Sequence, residues 1–482
     1  MPHRLLLCLL LGLSSAARAD DDGRLLGQPR ADYKARRQAL MVQVREAEAK
    51  RPKASMFSLT PNAQNQYVPI IALKGADDRD REDFEEGRFR QRNDFAYLTG
   101  VEVKGASLVL LPASDEAILY VPAAAEIRAG LGGEPDVPGP ATAAAMGYTR
   151  VAPASRFLAE LFGAIAGGGE VDPAHVRRPV LYTLGTSDRT PASSPDGKFV
   201  RYIKEGLGRA VELKDAGPLL GELRKAKTPT EVALLRKAID ITGEAQAAVA
   251  RDIRPGLYEY QLESRITAAF LEGGALRVGF ASIIGSGPNS TIPHYFDNKR
   301  RLGEGELVVV DIGAEYHLYT ADVTRTYPTS GVYSPRQREV YQLVLDAQSM
   351  AASRFKPGET KMSDMNRWVV EFFAASPLRA RDEAGVEQPM DKFFIHGLGH
   401  YLGMDVHDVG DYAKPLMPGE VFTIEPGLYI KAENLGVRIE DDYLATPTGI
   451  EKLTAGIPSA PAEVERRIAA GRSTAGRPSA AP

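Results

Sequence analysis

Hydrophobic and polar positions in the first half of the chain predict both helices and strands. Residues 33–50 have a helical pattern, and three segments, 67–76, 89–100 and 107–122, have the pattern of strands. The third segment contains turn residues at 113–116 and is therefore expected to form a hairpin.

The second half opens with a clear helix signal. Thr228 can cap a helix, Pro229 suits its first position, and Glu231 completes a capping box. A second amphipathic helix is predicted over residues 259–271, with Gly273 as its stop.

Three further segments are assigned from composition and pattern. Residues 307–445 are typical of strands joined by turns, and the glycine- and proline-rich residues 130–140 are expected to form a loop. Residues 471–482 consist of small residues, proline and arginine without periodicity, which predicts a disordered tail.

The overall composition is that of a soluble globular protein. The chain has 482 residues, of which 44% are hydrophobic and 25% charged, with a net charge of -4. Nothing in this balance indicates a nucleic-acid-binding protein. At about 100 to 200 residues per domain, the length allows two to four domains.

The first 19 residues are interpreted as a secretory signal peptide. Arg4 precedes an apolar run at residues 5–13, and small residues lead to a cleavage site after Ala19. That run is well short of the ~20 residues that a spanning helix needs. Cys8 is the only cysteine, so the mature chain has no disulfide, which suits export to a bacterial periplasm.

Four carboxylates in two strand pairs are the main candidates for chemistry. Asp311 ends one β-branched run and Asp322 lies in the next, and an antiparallel hairpin can bring them to one face. Glu425 and Glu440 repeat this arrangement on a second hairpin. Such carboxylates would repel one another when buried together, so their convergence makes sense only around bound cations.

The segment HGLGHYLGMDVHDVG adds histidines to these carboxylates. Its glycines argue against the helical HxxxH site of zincins, although His400 can still be a ligand. Carboxylates and imidazoles without sulfur favour Mn²⁺, Zn²⁺, Co²⁺ or Fe²⁺ over soft metals.

In order and spacing, these segments resemble the metallopeptidase family of aminopeptidase P and prolidase. Residues 89–100, FRQRNDFAYLTG, are similar to the signature of that family's amino-terminal domain. The resemblance implies an α/β amino-terminal domain at residues 33–215, followed by an α+β pita-bread metallopeptidase domain at residues 216–460.

The resemblance also implies a ligand set for two divalent cations, most often Mn²⁺, with Zn²⁺ or Co²⁺ as alternatives. Asp311 would bind one cation, while Asp322 and Glu440 would bridge both. His400 and Glu425 would complete the second cation.

Roles in catalysis and substrate binding follow from the same resemblance. Glu425 would also be the general base, and His294 and His407 would stabilise the transition state. The pocket for substrate would be formed by three residues: His396, Tyr429 and Arg438.

The predicted activity is that of an Xaa-Pro aminopeptidase acting on proline-containing peptides. A prolidase, which cleaves only dipeptides, is the main alternative; methionine aminopeptidase lacks the extra domain, and creatinase lacks the ligands. A non-catalytic binding protein would have no need for so costly a cluster of buried charges. No nucleic acid and, after signal removal, no membrane is expected as partner, and homo-oligomerisation stays open.

Overall fold

The computed structural model describes residues 24–51, 64–76, 89–122, 140–167, 175–188 and 190–475. The chain forms two compact units that divide between Leu223 and Arg224. The boundary predicted from the sequence lies between residues 215 and 216, whereas helix Gly217–Lys225 runs across the observed division. Within the described ranges, no helix is both long enough and apolar enough to span a bilayer.

The amino-terminal unit contains a six-stranded sheet, a separate pair of short strands, and helices. The strands of the unit are β1 Arg24–Leu25, β2 Gln28–Pro29, β3 Gln64–Lys74, β4 Ser107–Leu111, β5 Glu116–Val121, β6 Arg150–Pro153, β7 His175–Thr183 and β8 Glu212–Asp215. β1 pairs with β2, and the other six strands form the sheet. The helices of the unit are α1 Arg30–Ala49, α2 Asn93–Thr99, α3 Pro140–Ala145, α4 Phe157–Ala166, α5 Pro195–Leu207 and α6 Gly217–Lys225.

The sheet has the order β6-β5-β4-β3-β7-β8. β4 pairs antiparallel with β3 and β5, and the outer pairs are parallel. The predicted α/β class, the helix near residues 33–50 and the hairpin after residue 107 are confirmed.

The prediction of a strand over residues 89–100 is wrong, because most of this segment is helix α2. Residues 95–99 are all buried, so the segment has no alternation from which a strand could be told apart from a helix. The Thr99 hydroxyl donates to the Phe95 carbonyl, and Gly100 ends the helix at φ +64°.

The second unit has five helices and several small antiparallel sheets among its described residues. The helices are α7 Pro229–Asp252, α8 Glu259–Glu272, α9 Pro335–Arg354, α10 Met362–Ala375 and α11 Pro461–Ala475. The strands are β9 Arg277–Val278, β10 Ile283–Ser286, β11 Leu307–Ile312, β12 Ala314–Tyr316, β13 Tyr319–Thr320, β14 Val323–Pro328, β15 Arg379–Arg381, β16 Glu387–Pro389, β17 Val421–Ile424, β18 Gly427–Ile430, β19 Leu435–Arg438, β20 Asp441–Thr446 and β21 Gly449–Lys452.

The predicted helix starts and stops are confirmed in this unit. Thr228 accepts from the Glu231 backbone N–H while the Glu231 carboxylate accepts from the Thr228 N–H, which is the capping box expected for α7. Gly273 caps α8.

Residues 307–445 were expected to be mostly strands, yet they contain the long helices α9 and α10. α9 begins with a second capping box, in which Ser334 and Gln337 exchange side-chain and backbone hydrogen bonds. Pro335 occupies its first position, so the local signal for a helix is present in the sequence.

The tail predicted from Gly471 is helical as far as Ala475, so that part of the prediction is wrong. Val464 and Ile468 of α11, which follow the predicted domain end at residue 460, are in the core. Gly471 packs so closely on Arg251 that a Cβ would lie 2.4 Å from its Cα. Residues 476–482, the predicted signal peptide at residues 1–19 and the predicted loop through residue 139 lie outside the described residues.

Candidate metal centre and active site

The first carboxylate pair lies on neighbouring antiparallel strands. Asp311 is the fifth residue of β11 and stands opposite Thr324 of β14, while Asp322 immediately precedes β14. Ile312 and Val323 form the last pair of the ladder. Both carboxylates therefore lie at the same end of this sheet.

The second pair repeats this geometry. Glu425 immediately follows β17, Glu440 immediately precedes β20, and the ladder between these strands ends at the pair Ile424 and Asp441. The arrangement on two hairpins that the sequence suggested is therefore present.

His400 lies between the two pairs. Its Nε2 atom is 3.4 Å from Asp322 Oδ2, 3.5 Å from Glu425 Oε1 and 3.8 Å from Glu440 Oε1. Ligating atoms of Asp322, His400 and Glu440 all lie within 4.8 Å of one another. A single cation can therefore touch groups from both hairpins.

The electrostatics of this cluster favour a bound cation. Burial, together with repulsion from neighbouring carboxylates, raises the pKa of Asp322, Glu425 and Glu440. Asp311 Oδ1, Asp322 Oδ1 and Glu440 Oε1 are buried without a hydrogen-bond partner. Such oxygens are costly in a folded protein unless an ion binds them, so the donor set fits divalent cations.

The tautomer of His400 also fits metal ligation. Its Nδ1 lies 3.1 Å from the Tyr401 carbonyl, which can only accept, so Nδ1 carries the proton. Burial, followed by the neighbouring His407, lowers the pKa of His400 to about 4. At neutral pH the ring is neutral and its Nε2 lone pair faces the carboxylates.

A chain of hydrogen bonds runs from the carboxylates along one wall of the site. Arg438 donates to Asp311 Oδ2 at 2.7 Å and to the Tyr429 hydroxyl at 2.8 Å. The Tyr429 hydroxyl lies 2.8 Å from Nε2 of His396, whose Nδ1 donates to the Gly397 carbonyl. Burial and the charge of Arg438 lower the pKa of His396 to about 4, so this ring is neutral and accepts from Tyr429.

These groups line one cavity of about 500 Å³. It contains every site residue predicted from the sequence except Tyr429, which lies directly behind His396. The His407 ring lies 4.0 Å from the His400 ring, and His294 stacks on Phe296. Apolar and aromatic side chains also line the cavity, among them Phe280, Ile283, Val406 and Tyr412.

His407 and His400 differ in their surroundings. Among the described residues, no carboxylate oxygen lies within 4.0 Å of a His407 ring nitrogen, whereas His400 faces three carboxylates. This difference agrees with His400 as a ligand and His407 as a group that faces substrate.

Sequence reasoning missed two threonines that orient the cluster. Thr324 donates to Glu440 Oε2 at 2.7 Å and accepts from Arg438 at 3.1 Å. The hydroxyl of Thr423 accepts from the His400 backbone N–H. Thr324 could have been found, because it stands two residues after Asp322 and hence on the same face of the strand.

Comparison with known families agrees with the division of the chain. The model of the aminopeptidase P N-terminal domain matches residues 33–167, and the model of metallopeptidase family M24 matches residues 233–447. All five candidate ligands fall inside the second match.

Individual relatives are similar along most of their length. The chain is 31% identical over 474 residues to an Xaa-Pro aminopeptidase of Escherichia coli (strain K12), covering 92% of this chain and 98% of that protein. The solved structure of Pseudomonas aeruginosa aminopeptidase PepP is 29% identical, with a TM-score of 0.75 over 93% of this chain and 100% of the other. Zinc-substituted Escherichia coli aminopeptidase P in complex with product has 29% identity and a TM-score of 0.74, covering 92% and 99%. The chain therefore belongs to the aminopeptidase P family of M24 metallopeptidases, with an amino-terminal domain followed by a pita-bread catalytic domain.

Proposed function

We propose that the chain is an exported Xaa-Pro aminopeptidase that works with two divalent cations, Mn²⁺ in the first place and Zn²⁺ or Co²⁺ as alternatives. One observation carries the proposal: unpartnered, buried carboxylate oxygens converge with the Nε2 lone pair of His400 on one cavity. The similarity of the chain to an Xaa-Pro aminopeptidase supports the choice of substrate.

Five residues would hold the cations: Asp311, Asp322, His400, Glu425 and Glu440. When bound, two divalent cations supply Lewis acidity, which lowers the pKa of water and polarises a carbonyl group. The oxygen and nitrogen donors accommodate Mn²⁺, Zn²⁺ and Co²⁺ alike.

Glu425 is the residue placed to accept the proton of the attacking water. It lies at the end of β17, faces the cavity, and has Oε1 within 3.5 Å of His400 and Oε2 3.9 Å from His396. A carboxylate with two accessible oxygens can contact the cluster with one and move a proton with the other.

His294 and His407 would donate hydrogen bonds to the carbonyl oxygen as charge develops on it. Both line the cavity without belonging to the carboxylate cluster. His396, held by Tyr429 and Arg438, would form the wall beside the leaving group. A bond before proline lacks an N–H, so recognition by shape and by the carbonyl suits this substrate.

Metal removal tests the proposal directly. A chelator should abolish hydrolysis of an Xaa-Pro-Yaa peptide, and activity should return as Mn²⁺ is added, reaching its plateau at two ions per chain. Full activity in protein shown by elemental analysis to be free of metal would overturn the proposal.

Export is tested separately at the amino terminus. Protein recovered from the native host should begin at Asp20, after the Ala17-Arg18-Ala19 motif. A mature protein that begins at Met1 would contradict both the signal peptide and the periplasmic location.

A further inference from the structure

Two buried glutamines stand behind the two carboxylate pairs. Gln246 on α7 donates from Nε2 to the Val310 carbonyl at 3.2 Å and to the Val323 carbonyl at 2.8 Å. Val310 directly precedes Asp311, and Val323 directly follows Asp322. One amide group therefore joins the two strand ends that present the first pair.

Gln348 on α9 does the same for the second pair. Its Nε2 donates to the Ile424 carbonyl at 2.8 Å and to the Ile439 carbonyl at 3.2 Å. These residues directly precede Glu425 and Glu440. Like Gln246, Gln348 is only 1% exposed.

The chemistry of each contact fixes the orientation of the amide. Backbone carbonyls can only accept, so the –NH₂ group, with its two protons, is the only end of a glutamine that can bridge two of them. The Tyr327 hydroxyl donates to Gln246 Oε1 at 2.9 Å and so holds that amide in the bridging orientation.

The two glutamines form these hydrogen bonds at the end of each strand ladder. The first ladder ends at Ile312 and Val323, and the second at Ile424 and Asp441, so the glutamines act where strand pairing stops. Asp311 is still paired with Thr324, but Asp322, Glu425 and Glu440 lie in short interruptions of the pairing. Pairing resumes at Glu315 and Thr320 after the first ladder, and at Gly427 and Arg438 after the second. The bridge from each helix adds a constraint at the interruption.

We propose that Gln246 and Gln348 are positioning residues that set the carboxylate separation within each pair, and thereby the affinity for the cations. The proposal rests on the two-metal site of the proposed function. Removing a bridge leaves all five ligands in place, so it should weaken metal binding and leave the chemistry of the loaded site nearly intact.

The test is a titration of the metal-stripped full-length chain with Mn²⁺ alone. Binding is measured by calorimetry and by the electron paramagnetic resonance signal of free Mn²⁺. Gln246→Met and Gln348→Met should each raise the dissociation constant of at least one Mn²⁺ by about 10- to 100-fold, the range for groups that orient ligands. At saturating Mn²⁺, kcat should return to within a few-fold of wild type.

Gln337→Met is the matched control. Gln337 is a buried glutamine on the same helix as Gln348. Its Nε2 donates to the carbonyl of Gly305, a residue that is not next to any proposed metal ligand in the sequence. This variant should lower the melting temperature and leave both Mn²⁺ affinities unchanged. If Gln348→Met does not fold, Gln348→Asn keeps the amide but shortens its reach, and should show the same loss of affinity at smaller amplitude.

The outcomes separate the two proposals. Variants that melt earlier but bind Mn²⁺ as tightly as wild type would overturn the positioning role. Wild-type protein that binds two Mn²⁺ without cleaving Xaa-Pro peptides would refute the proposed function and leave the affinity comparison valid.

Discussion

Replacing Arg438 by lysine should separate geometry from charge at the wall of the site. Arg438 is 3% exposed and makes three hydrogen bonds at once, to Asp311, Tyr429 and Thr324. A lysine keeps the positive charge, but its compact ammonium group cannot match the fork of a guanidinium. We expect the ammonium to retain Asp311 and to lose the other two contacts.

The size of the effect follows from those two lost bonds. A hydrogen bond from a charged donor contributes about 1.5–3 kcal/mol, so the loss is at most about 3–6 kcal/mol. Part of this loss falls on folding rather than on the transition state. At about 1.4 kcal/mol per factor of ten, half of it corresponds to a decrease of about 10- to 100-fold in kcat/KM.

The assay measures kcat/KM for an Xaa-Pro-Yaa tripeptide at saturating Mn²⁺, with metal content determined on the same sample. Arg336→Lys is the control, because Arg336 makes a two-pronged contact with Glu433 at the surface. It should change kcat/KM by no more than about twofold. Wild-type kcat/KM in Arg438→Lys would refute the argument that this hydrogen-bond chain orients the site.

Four further substitutions test the ligands, the transition-state donor and a buried ion pair. Asp322→Asn or Glu440→Ala should abolish activity, since each removes a carboxylate that is proposed to hold both cations; two tightly bound metals with full turnover in either variant would contradict that assignment. His407→Ala should keep both metals and lower kcat by about 100- to 1,000-fold, the cost of losing one donor to a developing oxyanion, and a parallel fall in metal content would make His407 a ligand. Burial would raise the pKa of Asp408, but Lys227 and Arg224 hold it below its usual range. A lowered pKa contributes stability above the unfolded value, about 3.9, and this contribution is lost as pH falls. Asp408→Asn should therefore cost about 3 kcal/mol of unfolding free energy at pH 7, and the cost should shrink below about pH 4 in chemical denaturation; a cost independent of pH would contradict the ion pairs.

Much of the candidate site could be predicted from local sequence. Asp311 interrupts a run of valines and isoleucine, where a solvated aspartate is out of place, and Asp322 follows after a short connection. Alternation also puts Thr324 on the same face as Asp322, so its place beside the carboxylates was predictable, although its partner Glu440 is 116 residues away. Local patterns suffice to place a side chain on one face of its own strand.

Other features depend on partners that are distant along the chain. Gln246 and Gln348 look like ordinary polar residues on amphipathic helices, and the carbonyls that they bridge are 64 to 91 residues away. The helix that ends at Ala475 is held by Arg472, which donates to Ser330 and Thr329 more than 140 residues earlier. Composition alone marked that segment as a tail, because these contacts leave no local pattern.

The prediction of a strand at residues 89–100 was wrong for a different physical reason. Its helix is buried on every side from Phe95 to Thr99, so neither a period of two nor one of 3.6 is visible in its polarity. Helix α9 is the opposite case, since the cap formed by Ser334 and Gln337 was readable before the structure was known.

Peptide hydrolysis by the Mn²⁺-loaded mature chain tests the central claim most directly. Initial rates are measured for matched Xaa-Pro dipeptides and Xaa-Pro-Yaa tripeptides, with release of the first residue followed by chromatography. We expect the chain to cleave the bond before proline and to do so faster in the tripeptide. Hydrolysis confined to the dipeptide would make the enzyme a prolidase with the same metal site, and no hydrolysis of either peptide by chain that holds two Mn²⁺ would contradict the claim itself.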